Sequence, residues 1–256
     1  MTDGFIENAG ARLEFRRIEG RADLPTLVLL HEGLGCVSMW RDFPDRLANA
    51  TGAPVFIYSR AGYGKSSPVP PPRSATYMHR EALTVLPRVL EAARIERAVL
   101  VGHSDGGSIA LIYAGGVRKN KARGIVTLAA HVFNEKRCVD SIAAAGESYR
   151  TTDLRDRLLR HHGDNVDDAF WGWNRVWLSP EFWRWNVEEY LPKVSVPVLA
   201  IQGWDDEYGT ERQVDTIVAK VAGRADKLML DRCKHSPHKD QPEATLDAAS
   251  RFVESL

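Results

Sequence analysis

Short apolar runs alternate with helical patterns along the chain from residue 26 onward. Most of the runs lack polar alternation, which is typical of parallel strands that are covered on both faces. They occupy residues 26–30 (TLVLL), 55–58 (VFIY), 98–101 (AVLV), 125–128 (IVTL), 198–201 (VLAI) and 227–230 (KLML). The helical patterns between them occupy residues 39–49, 77–93, 107–114, 211–221 and 244–254. This order predicts an α/β fold with a mostly parallel central sheet flanked by helices.

The segment before residue 26 has a different pattern. Residues 12–18 (RLEFRRI) alternate between polar and apolar side chains and follow Asn8, Ala9 and Gly10. An alternating run behind such a turn-forming sequence indicates a strand with one covered face. We therefore expect a pair of antiparallel strands at the start of the sheet.

Residues 132–195 interrupt the alternation of strands and helices. This stretch has no strand-like run and holds five of the chain's 7 tryptophans: Trp171, Trp173, Trp177, Trp183 and Trp185. It predicts a helical cap inserted into a core domain formed by residues 1–131 and 196–256. Two interpretations stay open, a lid over an active site and a surface hairpin that its tryptophans only anchor. For a lid we expect Trp173 and Trp177, which share a helix face, in the pocket wall.

The composition argues against several classes of partner. Lys and Arg total 34, as do Asp and Glu, so the net charge of +0 does not attract nucleic acid or an anionic membrane. The apolar runs are too short to span a bilayer, and residues 1–17 lack a secretory pattern. Cys36, Cys138 and Cys233 have no metal-ligand spacing and fit free thiols in a reducing compartment. We therefore expect a cytoplasmic protein with a small-molecule substrate.

The sequence GHSDG at residues 102–106 follows the third apolar run and opens a helical pattern. A serine flanked by glycines between a strand and a helix is typical of a nucleophile elbow. The sharp turn strains the serine, and the glycines leave room for the strand and the helix to approach each other. The pattern predicts Ser104 as a nucleophile, with His103 as a packing residue.

The motifs that follow the apolar runs resemble those of the α/β-hydrolase superfamily. In chain order they are HEGLG, SRAGYGKS, GHSDGG, GWDD and CKHSPH. The resemblance covers essentially the whole chain and is closest to capped esterases, C–C hydrolases and haloperoxidase-like members. Some relatives place an aspartate at the elbow, which makes Asp105 a rival nucleophile. His103 would then have to fill the place of a small residue, so Ser104 is favoured and Asp105 is interpreted as an acid of the first helical turn.

The resemblance also implies a base and an acid, in the order nucleophile, acid, histidine. The family's acid usually lies three residues beyond a glycine in the loop after the fifth run, which selects Asp206 and leaves Asp205 as the alternative. The family's histidine position matches His235 in the last loop, with His238 as the alternative. Lys234 stands where the family commonly has glycine, so the local backbone of that loop is in question.

Two backbone N–H groups should form an oxyanion hole. The resemblance implies that one belongs to Asp105 and the other to Gly33 in the HEGLG loop, with Leu34 as an alternative donor and a pocket residue. Glu32 stands in place of the family's usual glycine and adds an acid near the pocket entrance. His31 is interpreted as a structural hydrogen-bonding residue.

These features predict hydrolysis of a small or medium ester with an apolar or aromatic part, through a Ser-His-Asp triad and without a metal or organic cofactor. The same triad is compatible with C–C bond hydrolysis of meta-cleavage-type diketones and with thioester hydrolysis. A different class of function, a catalytically weak ligand-binding protein with this fold, also stays open. Tandem His161 and His162 are interpreted as a surface pair rather than a metal site.

Overall fold

The computed structural model describes residues 2–8 and 10–256. Its strands are β1 (Thr2–Asn8), β2 (Ala11–Ile18), β3 (Thr26–Leu30), β4 (Val55–Tyr58), β5 (Ala98–His103), β6 (Ala122–Leu128), β7 (Val198–Gly203) and β8 (Ala225–Leu230). They form one sheet in the order β1-β2-β4-β3-β5-β6-β7-β8. The pairs β1–β2 and β2–β4 are antiparallel, and all later pairs are parallel. The mostly parallel sheet and the opening antiparallel pair are confirmed, whereas Ala9 lies outside the described residues.

The helices are α1 (Phe43–Thr51), α2 (Tyr77–Arg80), α3 (Leu86–Ala92), α4 (Asp105–Gly116), α5 (Lys136–Thr151), α6 (Leu154–His162), α7 (Val166–Trp177), α8 (Arg212–Lys220), α9 (Pro237–Asp240) and α10 (Pro242–Glu254). Two predictions were wrong in detail. The helix predicted from residue 39 begins at Phe43, because Arg41 has a φ of 54° and Pro44 favours a helix start. The helix predicted over 77–93 contains a wider π-type turn at Glu81–Val85, since Pro87 has no N–H to continue regular bonding.

Each inner strand supplies alternate side chains to two apolar layers, one on each face of the sheet. Leu27 and Leu29 of β3 pack in a layer with α1 and α10. Val28 and Leu30 of the same strand pack in a layer with α3 and α4. Helices therefore cover both faces, which explains why the inner strands read as continuous apolar runs.

Helices α5, α6 and α7 separate β6 from β7, which are neighbours in the sheet. The two ends of this stretch meet, because the N–H of Val187 donates to the Val132 carbonyl at 2.8 Å and that of Asn134 to the Trp185 carbonyl at 3.2 Å. The three helices thus leave and rejoin the core at one place, beyond the carboxyl end of β6. Within the described part of the chain, none of the helices has the length and apolar character needed to cross a membrane.

Candidate active site

Ser104 lies in the sharp turn between β5 and α4. Its φ of 51° is a strained backbone conformation for a residue with a side chain, at a cost of about 1–3 kcal/mol. A Cβ at Gly102 would overlap the Gly106 carbonyl, and a Cβ at Gly106 would overlap the Leu30 carbonyl. The glycines on either side of Ser104 are therefore required by the close approach of strand, turn and helix.

His235 connects Ser104 to a buried carboxylate. Its Nε2 lies 3.0 Å from Ser104 Oγ, and its Nδ1 lies 2.8 Å from Asp206 Oδ1. The same carboxylate oxygen accepts the backbone N–H groups of Tyr208 at 2.8 Å and Gly209 at 3.2 Å. A carboxylate on Nδ1–H leaves the lone pair of Nε2 facing the serine, which is the arrangement of a general base.

The two ionisable partners shift each other's pKa. Burial lowers the pKa of His235, but the adjacent Asp206 carboxylate outweighs it and the pKa is raised. Burial raises the pKa of Asp206, but the charge and hydrogen bond of His235 outweigh it and the pKa is lowered. The pair therefore favours an ionised Asp206 and stabilises the imidazolium that proton transfer from a serine would create.

The alternative acid and base lie elsewhere. The side chain of Asp205 is exposed, and its backbone N–H donates to the Cys233 carbonyl at 3.0 Å. His238 is buried against Trp40, with ring centroids 4.9 Å apart. The structure therefore brings Asp206 and His235 together with Ser104 and places Asp205 and His238 elsewhere.

Asp105 directs its carboxylate into the core. Its Oδ2 accepts the Tyr77 hydroxyl at 2.6 Å and pairs with the Arg60 guanidinium at 3.3 Å. The Asp105 side chain is fully buried and is not among the groups that line the cavity in front of Ser104. This placement does not support Asp105 as the nucleophile; only its backbone, directly after Ser104 in the chain, lies next to the sharp turn.

The loop of residues 31–35, called here the oxyanion loop because it carries the predicted donor Gly33, is fixed through its carbonyl groups. The Glu32 carbonyl accepts the N–H of Gly35 at 3.0 Å, His31 Nδ1 at 2.7 Å and the Arg60 guanidinium at 3.0 Å. A trans peptide is planar, so fixing the Glu32 carbonyl also fixes the Gly33 N–H on the opposite side of the same unit. Gly33 lines the cavity, and a Cβ there would overlap Trp173.

Sequence reasoning missed Arg60, which holds this loop. Arg60 is 3% exposed, and its guanidinium also donates to the His31 carbonyl at 2.6 Å. The backbone N–H of Arg60 donates to His31 Nε2 at 3.0 Å, so His31 carries its proton on Nδ1 and acts structurally, as expected. The only signal for Arg60 was its place in the SRAGYGKS motif, directly after β4.

A cavity of about 370 Å³ lies in front of Ser104, between the core loops and helices α5 to α7. The predicted pocket residues Leu34, Trp173 and Trp177 line it. The other apolar side chains of the wall are Met39, Cys138, Ile142, Leu154 and Leu158. A mostly apolar cavity of this size fits a small or medium ligand with an apolar part.

The remaining tryptophans of residues 132–195 lie outside this wall. Trp171 packs against Tyr149, with ring centroids 5.4 Å apart, and Trp185 stacks on Phe182 at 5.3 Å. Trp183 is 54% exposed. Trp173 and Trp177 therefore lie in the cavity wall, Trp171 and Trp185 pack against other side chains of this stretch, and Trp183 faces solvent. The separation of Trp171 from Trp173 agrees with helix geometry.

Several polar groups line the cavity, and of these the sequence analysis missed His131 and Glu207. His131 is 2% exposed, and burial lowers its pKa to about 4, so its ring is neutral at physiological pH. His103 lines the cavity and places Nε2 2.7 Å from the His235 carbonyl, so it does more than pack. Glu32 and Glu207 also line the cavity, whereas none of the described residues of its wall is Lys or Arg. Lys239 Nζ lies 3.5 Å from Glu32 Oε1 and offsets its charge, so it is mainly Glu207 that makes the wall unfavourable for an anionic ligand.

The three cysteines are free and buried. Burial raises the pKa of Cys36 to about 11 and that of Cys233 to about 12. The thiolate is the reactive form, so neither is an effective nucleophile at neutral pH. Within residues 2–8 and 10–256, no three His, Cys, Asp or Glu side chains converge as a metal site requires.

The chain was compared with known families, proteins and structures. A family model described as alpha/beta hydrolase family matches residues 27–248. A proline iminopeptidase of Lactobacillus helveticus is 30% identical over 113 residues, which are 44% of this chain and 38% of that protein. The chain thus matches well under half the length of this curated relative.

Two solved structures illustrate the similarity of the whole fold. The esterase EaEST from Exiguobacterium antarcticum has a TM-score of 0.76 at 18% identity, covering 99% of this chain and 100% of that one. The enol-lactonase from Burkholderia xenovorans LB400 has a TM-score of 0.74 at 18% identity, covering 98% and 100%. At these identities the likeness concerns the fold alone.

Proposed function

Because the chain belongs to the alpha/beta hydrolase family, we propose that it is a serine hydrolase that cleaves a small or medium ester with an apolar or aromatic part. The observation that carries the proposal is the hydrogen-bonded series of Ser104, His235 and Asp206, whose serine opens into a largely apolar cavity. A nucleophile, a base and an orienting acid are the three groups that a serine hydrolase triad combines for acyl transfer.

In the first half of the proposed reaction, Ser104 Oγ attacks the ester carbonyl while His235 Nε2 takes the proton from this oxygen. The carbonyl π electrons move to oxygen, and the backbone N–H groups of Gly33 and Asp105 donate to the resulting oxyanion. The imidazolium then gives its proton to the alcohol as the C–O bond breaks, leaving an acyl group on Ser104. Asp206 stabilises the imidazolium throughout.

In the second half, His235 removes a proton from water as the water oxygen attacks the acyl carbonyl. The same two N–H groups stabilise the second oxyanion, and the proton returns to Ser104 as the acid leaves. We propose that residues 132–195 act as a lid whose Trp173 and Trp177 exclude bulk water and contact the apolar part of the substrate. The three free cysteines support a reducing, cytoplasmic location.

A second candidate is cleavage of an amide bond after an amino-terminal proline. The similarity to the Lactobacillus helveticus proline iminopeptidase favours it, over the aligned 113 residues. The same groups can perform both reactions, because an amine leaving group also takes its proton from the histidine.

The nucleophile is tested by labelling with a fluorophosphonate and locating the label by mass spectrometry. We expect the label on Ser104, and loss of both labelling and ester turnover in Ser104→Ala. Ser108→Ala is the matched control, since Ser108 lies one turn further along α4 and donates to the His131 carbonyl at 2.6 Å. Label on another residue, or full turnover in Ser104→Ala, would contradict the proposal.

The substrate class is tested with a panel on the wild-type protein. It contains p-nitrophenyl esters of graded acyl length, aryl esters, matched thioesters, a meta-cleavage diketone and a proline arylamide. We expect the highest kcat/KM for an ester of short to medium acyl length. A higher value for the proline arylamide would favour the second candidate, and one for the diketone would favour C–C hydrolysis.

A further inference from the structure

His161 and His162 occupy different environments, although the sequence suggested one surface pair. His161, at the partly exposed end of α6, places Nδ1 2.9 Å from the Ser38 hydroxyl. His162, the last residue of α6, is only 3% exposed and packs against two loops of the core. The surface interpretation was therefore wrong for His162, because the close packing of α6 on the core buries that side of the helix end.

Both ring nitrogens of His162 bond to the core backbone. Nδ1 faces the N–H of Gly64 at 3.0 Å, and Nε2 faces the Leu34 carbonyl at 2.9 Å. A backbone N–H only donates and a carbonyl only accepts, so the ring is neutral with its proton on Nε2. Burial lowers the pKa of His162, in agreement with this neutral form.

The hydrogen bond from His162 to the Leu34 carbonyl is linked to the Gly33 N–H through two peptide units. The Leu34 carbonyl and the Gly35 N–H belong to one planar unit, and the Gly35 N–H donates to the Glu32 carbonyl at 3.0 Å. The Glu32 carbonyl belongs to the unit that carries the Gly33 N–H. His162 therefore restrains the outer side of the turn, while Arg60 and His31 restrain it from the core.

We propose that His162 is a positioning residue that couples the helices of residues 132–195 to the oxyanion loop. It keeps the Gly33 N–H aimed at the developing oxyanion, and this role rests on the proposed function. Removing one oxyanion donor entirely lowers kcat by about 10²–10³. A donor that is present but less well aimed should lower kcat by about 10–100-fold, with little change in KM, since it acts mainly on the transition state.

The experiment compares His162→Gln with His162→Asn. The amide nitrogen of Gln reaches about as far as Nε2, so it can still donate to the Leu34 carbonyl. Asn places an oxygen near the position of Nδ1, so it can accept from Gly64 but does not reach Leu34. We expect His162→Gln to keep kcat within about threefold of wild type, and His162→Asn to lose about 10–100-fold at similar KM.

Asn165→Ala is the matched control for loosening of the helices. Asn165 donates to the carbonyls of Gly64 at 3.1 Å and Ser66 at 2.8 Å, without touching the oxyanion loop. We expect this variant to lower Tm while leaving kcat within about threefold. Affinity for a trifluoromethyl ketone, whose adduct places an oxyanion in the hole, should fall with kcat/KM in His162→Asn only.

Equal kcat losses in His162→Gln and His162→Asn would show that the Leu34 bond does not matter and would overturn the proposal. A comparable kcat loss in Asn165→Ala would overturn it too, because general loosening would then suffice. These results require a wild type that carries the fluorophosphonate label on Ser104 and turns over an ester. A wild type without label or turnover would overturn the proposed function, and this inference with it.

Discussion

Replacing Asp206 by Asn removes a charge from the proposed triad while keeping most of its hydrogen bonds. Asp206 Oδ1 accepts His235 Nδ1 and the N–H groups of Tyr208 and Gly209. If the amide nitrogen of the introduced Asn occupied the position of Oδ1, it would face three hydrogen-bond donors. We therefore expect the amide oxygen to take this position. The ring of His235 should therefore keep its orientation and its proton on Nδ1.

The expected loss is that of the ion pair formed when His235 becomes protonated in the transition state. Two charges about 4 Å apart at an effective dielectric constant of about 20 attract by about 4 kcal/mol. Tenfold in rate corresponds to about 1.4 kcal/mol, so kcat/KM should fall by about 10³-fold. If the Asn amide turned, its nitrogen would donate to Nδ1 and hold the His235 ring in the wrong tautomer. The loss of kcat/KM would then be about 10⁴-fold.

The pH profile gives an independent readout. Only neutral His235 can accept the serine proton, so kcat/KM rises with pH as this histidine loses its proton. The Asp206 carboxylate raises the pKa of His235 against the effect of burial, so the wild-type midpoint should lie above the ordinary imidazole value of about 6.5. In Asp206→Asn the burial effect remains without the carboxylate, and the midpoint should move to lower pH.

The assay is kcat/KM for a p-nitrophenyl ester between about pH 5 and 9, where His235 titrates, with Asp205→Asn as the control. Asp205 is exposed next to Asp206 in the chain, and its replacement should change kcat/KM by less than about threefold. A loss below tenfold in Asp206→Asn, or a midpoint that stays in place, would refute the assignment of Asp206.

Three further predictions concern the walls of the cavity. Gly33→Ala should lower kcat by about 100-fold, because the added Cβ overlaps Trp173 and displaces the proposed oxyanion donor; single-turnover kinetics would measure this rate. An ester with a free carboxylate should react more slowly than its neutral isostere, and Glu207→Gln should narrow the difference in kcat/KM at low ionic strength. Trp177→Ala should lower the free energy of unfolding by about 3–5 kcal/mol in denaturant titrations, whereas Trp183→Ala, at a 54% exposed position, should change it little.

Elements that depend on neighbours in the chain were predictable from the sequence. The runs at 26–30 and 55–58 became strands with those bounds, since strands covered on both faces need no polar alternation. The sharp turn at Ser104 was predictable because the strand, the two glycines and the helix that form it are contiguous in the chain. The family resemblance narrowed the acid to Asp206 or Asp205 and the base to His235 or His238. The distances of these side chains to Ser104 were not available from the sequence.

The convergence of distant segments was decided by the tertiary structure alone. His162 bonds to Leu34 across 128 positions of the chain, and no local pattern distinguished it from its neighbour His161. Arg60 reaches Glu32 from the next strand loop, and its guanidinium reveals its role only once both loops lie side by side. Periodicity and turn chemistry act over a few residues, so they determine which elements form. Which side chains meet depends on how the sheet twists and how the helices pack, and those follow from the close packing of the whole chain.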